Sequence, residues 1–217
     1  MTTVLKPDFP RPRAAQLAAL QTVGSALLYQ ALGQRGALHS SIKPLQSGRR
    51  LLGPAFTAGG FPGDNLTGHA AITLAQPGDI LVYTVDGFIQ GASFGDMMAA
   101  VAASRGLGGI LIDGAVRDAA TLRSWSLPVF SRGISLKSRG EKARLGPLAA
   151  PLVVAGVEIA PGDLIVGDDD GVIAVPYALI DVAIERVRQL TAEKENLLRR
   201  FSSDVSPADW ERLKAWE

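Results

Sequence analysis

The chain contains no cysteine. Disulfides, zinc–thiolate centres and cysteine nucleophiles are therefore excluded. Histidine is almost as scarce: only His39 and His69 occur, and no His-Glu-x-x-His pairs them. A metal here needs oxygen ligands, which selects Mg²⁺ or Mn²⁺. Aromatics are only 6% of the residues, so the core must come from Val, Ile, Leu and Ala. An excess of one charge is also missing, with 22 basic residues against 21 acidic ones. That balance leaves no electrostatic footprint for nucleic acid. The sharpest basic pairs, Arg49-Arg50 and Arg199-Arg200, are too short to track a phosphate backbone and read as solvated surface charge. No apolar run approaches the roughly 18 residues of a membrane span. The start, MTTVLKPDFPRPR, lacks the apolar stretch of a signal peptide. These absences predict a cytoplasmic protein with neither membrane nor nucleic acid as partner.

Several catalytic signatures are missing too. No phosphate-binding Gly-x-x-x-x-Gly-Lys loop occurs, and GLGGI at 106–110 precedes a strand instead of following one. There is no Gly-x-Ser-x-Gly elbow. None of the six lysines, Lys6, Lys43, Lys137, Lys142, Lys194 and Lys214, sits in an apolar strand. Desolvation there would be needed to prepare a Schiff-base amine.

Hydrophobic residues make up 47% of 217, enough for one domain spanning 1–217. Residues 1–12 read as an extended arm with prolines. From Arg13 to Leu32 one or two helices are expected, broken near Gly24. GRRLLGPAFTAGG reads as strand. DNLTGHAAITLA (64–75) reads as helix, with Asp64 or Asn65 able to cap it. GDILVYTVDG (78–87) is a strand. SFGDMMAAVAASRG (93–106) is a helix stopped by Gly106. GILI is a second strand, with a turn through Asp113-Gly114 after it. DAATLRSW is a short helix and LPVFSRG a third strand. This alternation predicts parallel pairing. A long loop is expected over 137–150, then antiparallel hairpins from LVVAGVEI, GDLIVGD and GVIAVP. A long helix spans Tyr177 to Phe201, with Ile180, Ile184, Val187 and Thr191 on one face. A short helix closes the chain at 207–216. Pro-Gly-Asp occurs at 62–64, 77–79 and 161–163, and each copy reads as a type II turn feeding a strand.

The stretch ILIDGAVRD places Arg117 beside Asp118 where an apolar run ends. Two readings stay open from the residues alone. Asp118 caps the next helix while Arg117 faces solvent, or the pair forms a site that holds a cation and an anion. Asp96, after Gly95 at another helix start, adds a second acid. Loops that follow parallel strands gather at one edge of a sheet, where ligands bind. Free N–H groups at helix starts can receive a carboxylate there. The run Asp168-Asp169-Asp170 invites a metal-cluster reading, but a solvated turn fits its place before a strand better. His69 reads as a core or capping residue.

Together GPAFTAGGFPGDNLTGHAAI, GDILVYTVDG, FGDMMAAVAASRGLGGILIDGAVRD, PVFSRGI and PGDLIVGDDDGVIAVP resemble a known family. It is that of the regulator of ribonuclease activity A and its catalytic relatives, the 4-hydroxy-4-methyl-2-oxoglutarate aldolases that also decarboxylate oxaloacetate. The resemblance runs from about Ala31 to Pro176. It implies an α/β fold: a β/β/α sandwich with a mixed sheet, N-terminal helices and a long C-terminal helix. It also implies a homotrimer or a pair of trimers, with residues 177–217 at the subunit interface and sites in clefts between subunits.

By the same resemblance the protein is a metal-dependent pyruvate aldolase acting on a small 2-oxo acid. Asp118 holds the divalent metal, and Arg117 binds substrate and steadies the enolate. Asp96 positions a water, and the amides of Gly95, Asp96, Met97 and Met98 receive the substrate carboxylate. A glutamate from the neighbouring subunit's C-terminal helix, matching Glu195 or Glu193, reaches the metal water. Non-enzymatic members that bind the ribonuclease are the alternative. They tend to lack the aspartate after the arginine, whereas this chain keeps Val-Arg-Asp. Two departures stand out: Met97-Met98 replaces a leucine-rich turn, and Gln30 stands where many relatives carry Asp. A lyase acting on a different 2-oxo acid is a third reading, with the acceptor half read by loop residues around Arg139 to Arg144.

Overall fold

The computed structural model describes residues 7–137 and 144–201. The expected helix at 207–216, and residues 138–143 of the expected loop, lie outside them. Two short helices open the described chain, α1 (Ala14–Leu20) and α2 (Ser25–Ala31), with Gly24 as the N-cap that separates them. Then come β1 (Lys43–Pro44), β2 (Leu51–Gly59), α3 (Leu66–Leu74), β3 (Ile80–Thr84), β4 (Ala92–Phe94), α4 (Asp96–Ser104) and β5 (Gly109–Val116). The remainder is α5 (Ala119–Ser124), β6 (Val129–Ile134), β7 (Leu152–Val154), β8 (Val157–Ile159), β9 (Leu164–Gly167), β10 (Val172–Val175) and, after one 3-10 turn, α6 (Ile180–Phe201).

The main sheet runs β1-β6-β5-β3-β2-β9-β10, with β4 added along the far end of β5. Its centre is parallel, as the strand–helix alternation predicts: β2 with β3, β3 with β5, and β5 with β6. Both edges are antiparallel. One run of chain ties those edges together. Ala37 bridges to Ile173 of β10, and six residues later Lys43–Pro44 pairs with β6. Leu38 N–H donates to Val172 O, and the Lys43 ammonium donates to Asp170 O. The sheet is thus nearly closed on itself, and few backbone groups remain unpaired at its edges.

Three apolar layers result from this curvature. The inner face packs Leu51, Val82, Leu111, Phe130 and Ile165 against the β7–β8 hairpin, which inserts Val154 and Ile159. The outer face of β2, β3 and β5 is covered by α3, α4 and α5 around Phe56, Tyr83 and Ile112. The outer face of β9 and β10 is covered by α1, α2 and α6. Phe56, Tyr83 and Phe130 are fully buried, and each such side chain contributes roughly 2–3 kcal/mol by leaving water. The N-terminal arm joins this packing. Phe9 lies 6.0 Å from the Phe56 ring, and the Arg11 guanidinium pairs with the fully buried Asp79 at 2.9 Å.

The three Pro-Gly-Asp turns form, and those at 77–79 and 161–163 feed strands β3 and β9 as expected, but the one at 62–64 leads into helix α3. Gly63, Gly78 and Gly162 have φ of 76°, 85° and 90°, which position i+2 of a type II turn requires. In two of them the Asp carboxylate reaches back to the residue before the proline: Gln76 N–H donates to Asp79 and Ala160 N–H to Asp163. Burial pushes the Asp163 carboxyl up; N–H bonds from Ala160 and Tyr177 oppose the shift, and Glu158 adds to it.

Four further expectations are corrected. The chain does not turn at Asp113-Gly114; β5 runs on through them to Val116. Residues 92–94 form the short strand β4, so the helix starts only at Asp96. On α6 the buried stripe is Ile180, Ala183, Ile184, Val187 and Leu190; Thr191 is exposed, its hydroxyl donating to Val187 O. Arg50 is not merely solvated: its guanidinium donates to Leu20 O and Val23 O at the end of α1. No helix among the described residues is long and apolar enough to cross a membrane.

Candidate active site

The ends of β2, β3, β5 and β6 point the same way because the strands are parallel, so their following loops share one edge. Arg117 and Asp118 lie at that edge directly after β5. Arg117 N–H donates to Phe94 O at 2.9 Å, which extends the β4–β5 pairing up to the site. Asp118 then adopts the left-handed conformation, φ 56° and ψ 36°. Asp tolerates this region better than most residues, and the turn starts α5, whose Leu122 N–H donates to Asp118 O.

Asp118 occupies the N-cap position of α5 but makes no side-chain cap there. Its carboxylate faces the start of α4 instead. Asp96 N–H donates to Asp118 Oδ2 at 3.3 Å, and the Arg117 Nε lies 3.5 Å from the same oxygen. Gly95 makes the approach possible. A Cβ built there would meet Asp118 Oδ2 at 2.6 Å and Arg117 Cγ at 3.2 Å. Asp96 turns its own carboxylate onto the helix start, accepting Met97 N–H at 2.6 Å. Two acids and one guanidinium therefore meet at the positive end of α4, where the helix dipole favours anions. Of the four amides expected to receive a substrate carboxylate, those of Asp96 and Met97 are held by the protein's own carboxylates in this conformation.

The pair is open to solvent: the Arg117 side chain is 47% exposed and that of Asp118 35%. Met97 is exposed beside them, whereas Met98 is buried beneath. Met98 packs on α3, with its Cε 2.7 Å from where a Cβ on Gly68 would stand, and Asn65 Nδ2 lies 3.9 Å from its sulfur. Tyr83 supports this floor, its hydroxyl donating to Asp64 O at 3.0 Å. Burial, with the Asp64 charge added, pushes that hydroxyl well above its ordinary value.

Glu193 and Glu195 stand elsewhere in the chain. Their carboxylates pair with Arg186 and Arg199 of their own helix at 3.7 Å. That helix packs on α1 and α2, and β3 and β2 separate β5 from β9. Asp86 lies in the loop after β3, exposed, with φ 55°. Gln30 lies in α2, which packs on α6 and β10. Arg144 lies over the Phe61 ring at 4.1 Å. The Asp168–Asp170 run is a set of ties more than a solvated turn. Asp168 accepts Ser25 N–H and Oγ–H at the start of α2, and Asp169 accepts Gly48 N–H. Among the described residues no group of three or more His, Asp or Glu gathers to hold a metal. Sequence reasoning missed the roles of Gly95 and of the left-handed Asp118 backbone; the Asp-Gly inside an apolar run was the one hint of irregularity in β5.

A nearly closed mixed sheet with an Arg-Asp pair set against a helix start defines an α/β protein with a polar cluster at one sheet edge. The chain belongs to the RraA-like family, described as Aldolase/RraA, which matches residues 21–174. It is 34% identical over 185 residues to a protein of Halalkalibacterium halodurans provisionally named a 4-hydroxy-4-methyl-2-oxoglutarate aldolase, covering 85% of this chain and 88% of that one. Among solved structures, a protein of Pseudomonas syringae pv. tomato superposes with a TM-score of 0.79 at 28% identity, covering 91% of this chain and 97% of that one. A Streptomyces coelicolor protein, described as an unusual member of the RNase ES inhibitor RraA family, superposes at 0.75 and 28% identity, covering 91% and 100%.

Proposed function

We propose that the protein is a divalent-metal-dependent lyase. It cleaves a 4-hydroxy-2-oxo acid such as 4-hydroxy-4-methyl-2-oxoglutarate to pyruvate and decarboxylates oxaloacetate through the same enolate. The observation that carries this reading is the meeting of Arg117, Asp118 and the α4 start on one open spot. The provisional name of the 34% identical relative supports it.

The donor set suits Mg²⁺ or Mn²⁺. These ions are often held by one or two carboxylates, with waters and substrate oxygens completing the shell. Asp118, half open to solvent, is the residue that would hold the ion, and Asp96 is the second acid beside it. When bound, the cation would supply a Lewis acid that stabilises negative charge developing on the pyruvyl unit.

The chain's own residues account for the rest. The Arg117 guanidinium places fixed positive charge where the enolate develops, an effect often worth a few kcal/mol. The α4 amides receive the substrate carboxylate once the Asp96 carboxylate turns off Met97 N–H, while Asp118 keeps its place against the helix start. Asp96 orients the water that takes the proton of the 4-hydroxyl and later returns one to the enolate carbon. Breaking the C3–C4 bond of 4-hydroxy-4-methyl-2-oxoglutarate then yields two pyruvates. Loss of CO₂ from oxaloacetate leaves the same enolate.

The active assembly in this reading is a homo-oligomer, a trimer or hexamer. Exposed Ile89, Met97, Ile134 and Leu136 lie around the site edge, an apolar surface that suits burial by a second copy. A neighbouring α6 then brings Glu195 or Glu193 to the site. A regulator without turnover is the second reading, favoured by the RNase-inhibitor description of one structural relative.

Pyruvate release from 4-hydroxy-4-methyl-2-oxoglutarate, oxaloacetate and other 2-oxo acids, with Mg²⁺ and then with EDTA, separates the readings. Metal-dependent release from the first two supports the lyase. Release only from another 2-oxo acid keeps the chemistry and changes the substrate. No release from any metal-loaded sample overturns it.

A further inference from the structure

Strand β5 reaches the site through an irregularity. Ile112 pairs with Ser131 and Ala115 with Gly133, so Asp113 and Gly114 together oppose the single residue Arg132. The two-against-one count is that of a β-bulge, a device that bends a strand and re-aims the side chains beyond it. It lies where β5 changes neighbours, from β3 up to Asp113 to β4 from Ala115 onward. Three residues after Gly114 comes Arg117, and then Asp118.

The residue opposite the bulge holds it. Arg132 Nε donates to Asp113 Oδ1 at 2.6 Å, and Nη2 lies 2.6 Å from the same oxygen. Asp113 Oδ2 accepts Ala155 N–H at 2.8 Å and the Thr84 hydroxyl at 3.3 Å. The Asp113 carbonyl accepts N–H from Val85 and Gly87. Arg132 Nη1 donates to Ser41 Oγ at 3.1 Å. The end of β3, the β7–β8 hairpin, β6 and the segment before β1 are thereby tied to one carboxylate that is 4% exposed. At Gly114 any Cβ would strike the Val85 side chain. A buried ion pair is weak evidence for stability, because desolvation offsets most of its attraction. What it does supply is one fixed geometry for the strand end.

We propose that Asp113 and Arg132 are positioning residues for the site. The pair locks the bulge and so fixes the register in which Val116 meets Phe94 and Arg117 N–H reaches Phe94 O. It thereby holds the Arg117 and Asp118 side chains against α4. The inference rests on the lyase reading of that site, but its structural half is testable without turnover.

The full-length protein is compared with Asp113→Asn, Arg132→Met and Arg132→Lys at a temperature where circular dichroism finds all of them folded. Turnover of 4-hydroxy-4-methyl-2-oxoglutarate and amide hydrogen exchange over residues 115–118 are measured. The expected result is a kcat at least tenfold lower in Asp113→Asn and Arg132→Met, with KM within threefold. Arg132→Lys recovers most of the loss. Exchange at Arg117 rises at least tenfold while Ile110 to Ile112 stay protected. Should Asp113→Asn fail to fold, the two Arg132 variants carry the same comparison. Folded variants with unchanged exchange over 115–118 overturn the proposal, as do variants with unchanged kcat. If the wild type itself releases no pyruvate, the lyase reading fails, and the exchange result alone decides the positioning role.

Discussion

Replacing Gly95 by alanine should separate the placement of the Arg117–Asp118 pair from the stability of the fold. Gly95 has φ −153° and ψ −171°, extended backbone that alanine adopts without strain. The new Cβ, however, stands 2.6 Å from Asp118 Oδ2, whereas ordinary contact begins at 3.4 Å. The carboxylate must therefore retreat by about 0.8 Å, and the Arg117 stem, at 3.2 Å, must give slightly. Misplacing a reacting group by about 1 Å costs on the order of 10²-fold, so kcat should fall roughly 10- to 100-fold, or about 1.4–2.7 kcal/mol. Alanine is a poorer N-cap than glycine, which adds about 1 kcal/mol of destabilisation at most. That amounts to a thermal midpoint lower by only about 2–4 °C. The assay is pyruvate release from 4-hydroxy-4-methyl-2-oxoglutarate, coupled to NADH oxidation by lactate dehydrogenase. A folded Gly95→Ala protein with wild-type kcat and KM would refute the reasoning, because the close approach of Asp118 to α4 would then be irrelevant to turnover.

Other perturbations probe the frame. Arg11→Ala leaves the fully buried Asp79 without its guanidinium and should cost about 3 kcal/mol in urea unfolding; a loss below about 0.5 kcal/mol would show that the arm is not tied by charge. Gly60→Ala drives a Cβ into the Tyr83 ring, 2.7 Å from Cε2, and should destabilise by about 1–3 kcal/mol through overpacking; an unchanged thermal midpoint contradicts this. Asp168 gives a pH signature. Burial pushes its carboxyl up, but the Ser25 hydroxyl and N–H, the Asp170 N–H and the Arg50 charge outweigh burial and hold it below 3.8. A lowered folded-state value means its stabilisation is fully present above about pH 3.8, the unfolded value, and is lost as pH falls below it through the lower folded-state value. Thermal melts from about pH 5 to about pH 3 should therefore lose more stability in the wild type than in Asp168→Asn; equal slopes would count against the tie to α2.

Features set by local chemistry were legible in the sequence. The alternation of apolar runs and helices predicts the parallel centre, because a crossover helix is the simplest way to return a strand in the same direction. The three Pro-Gly-Asp turns are legible for the same reason: proline and glycine impose their own dihedral angles. Features decided by distant partners were not. Asp113-Gly114 looks like a turn, yet Arg132, Thr84 and Ala155 supply partners that keep β5 extended through it. β4 is three residues long, too short to show a period of its own. Asp168 and Asp169 read as solvated, since nothing in the sequence announces Ser25 and Gly48 as their donors. At the site, the motif places Arg117 and Asp118 after a strand. That Asp118 turns left-handed, and faces α4 across a glycine instead of capping α5, depends on how β4 and β5 pair.

The most direct test of the account is pyruvate release from 4-hydroxy-4-methyl-2-oxoglutarate by wild type, Asp118→Asn and Asp169→Asn, each with Mg²⁺ and with EDTA. Asp169 serves as the control because its carboxylate is spent on Gly48 and Ser47. The account predicts release by the wild type that EDTA abolishes, a loss of at least about 10²-fold in Asp118→Asn, and near wild-type turnover in Asp169→Asn. Wild-type turnover in Asp118→Asn, or release that EDTA leaves untouched, would contradict it.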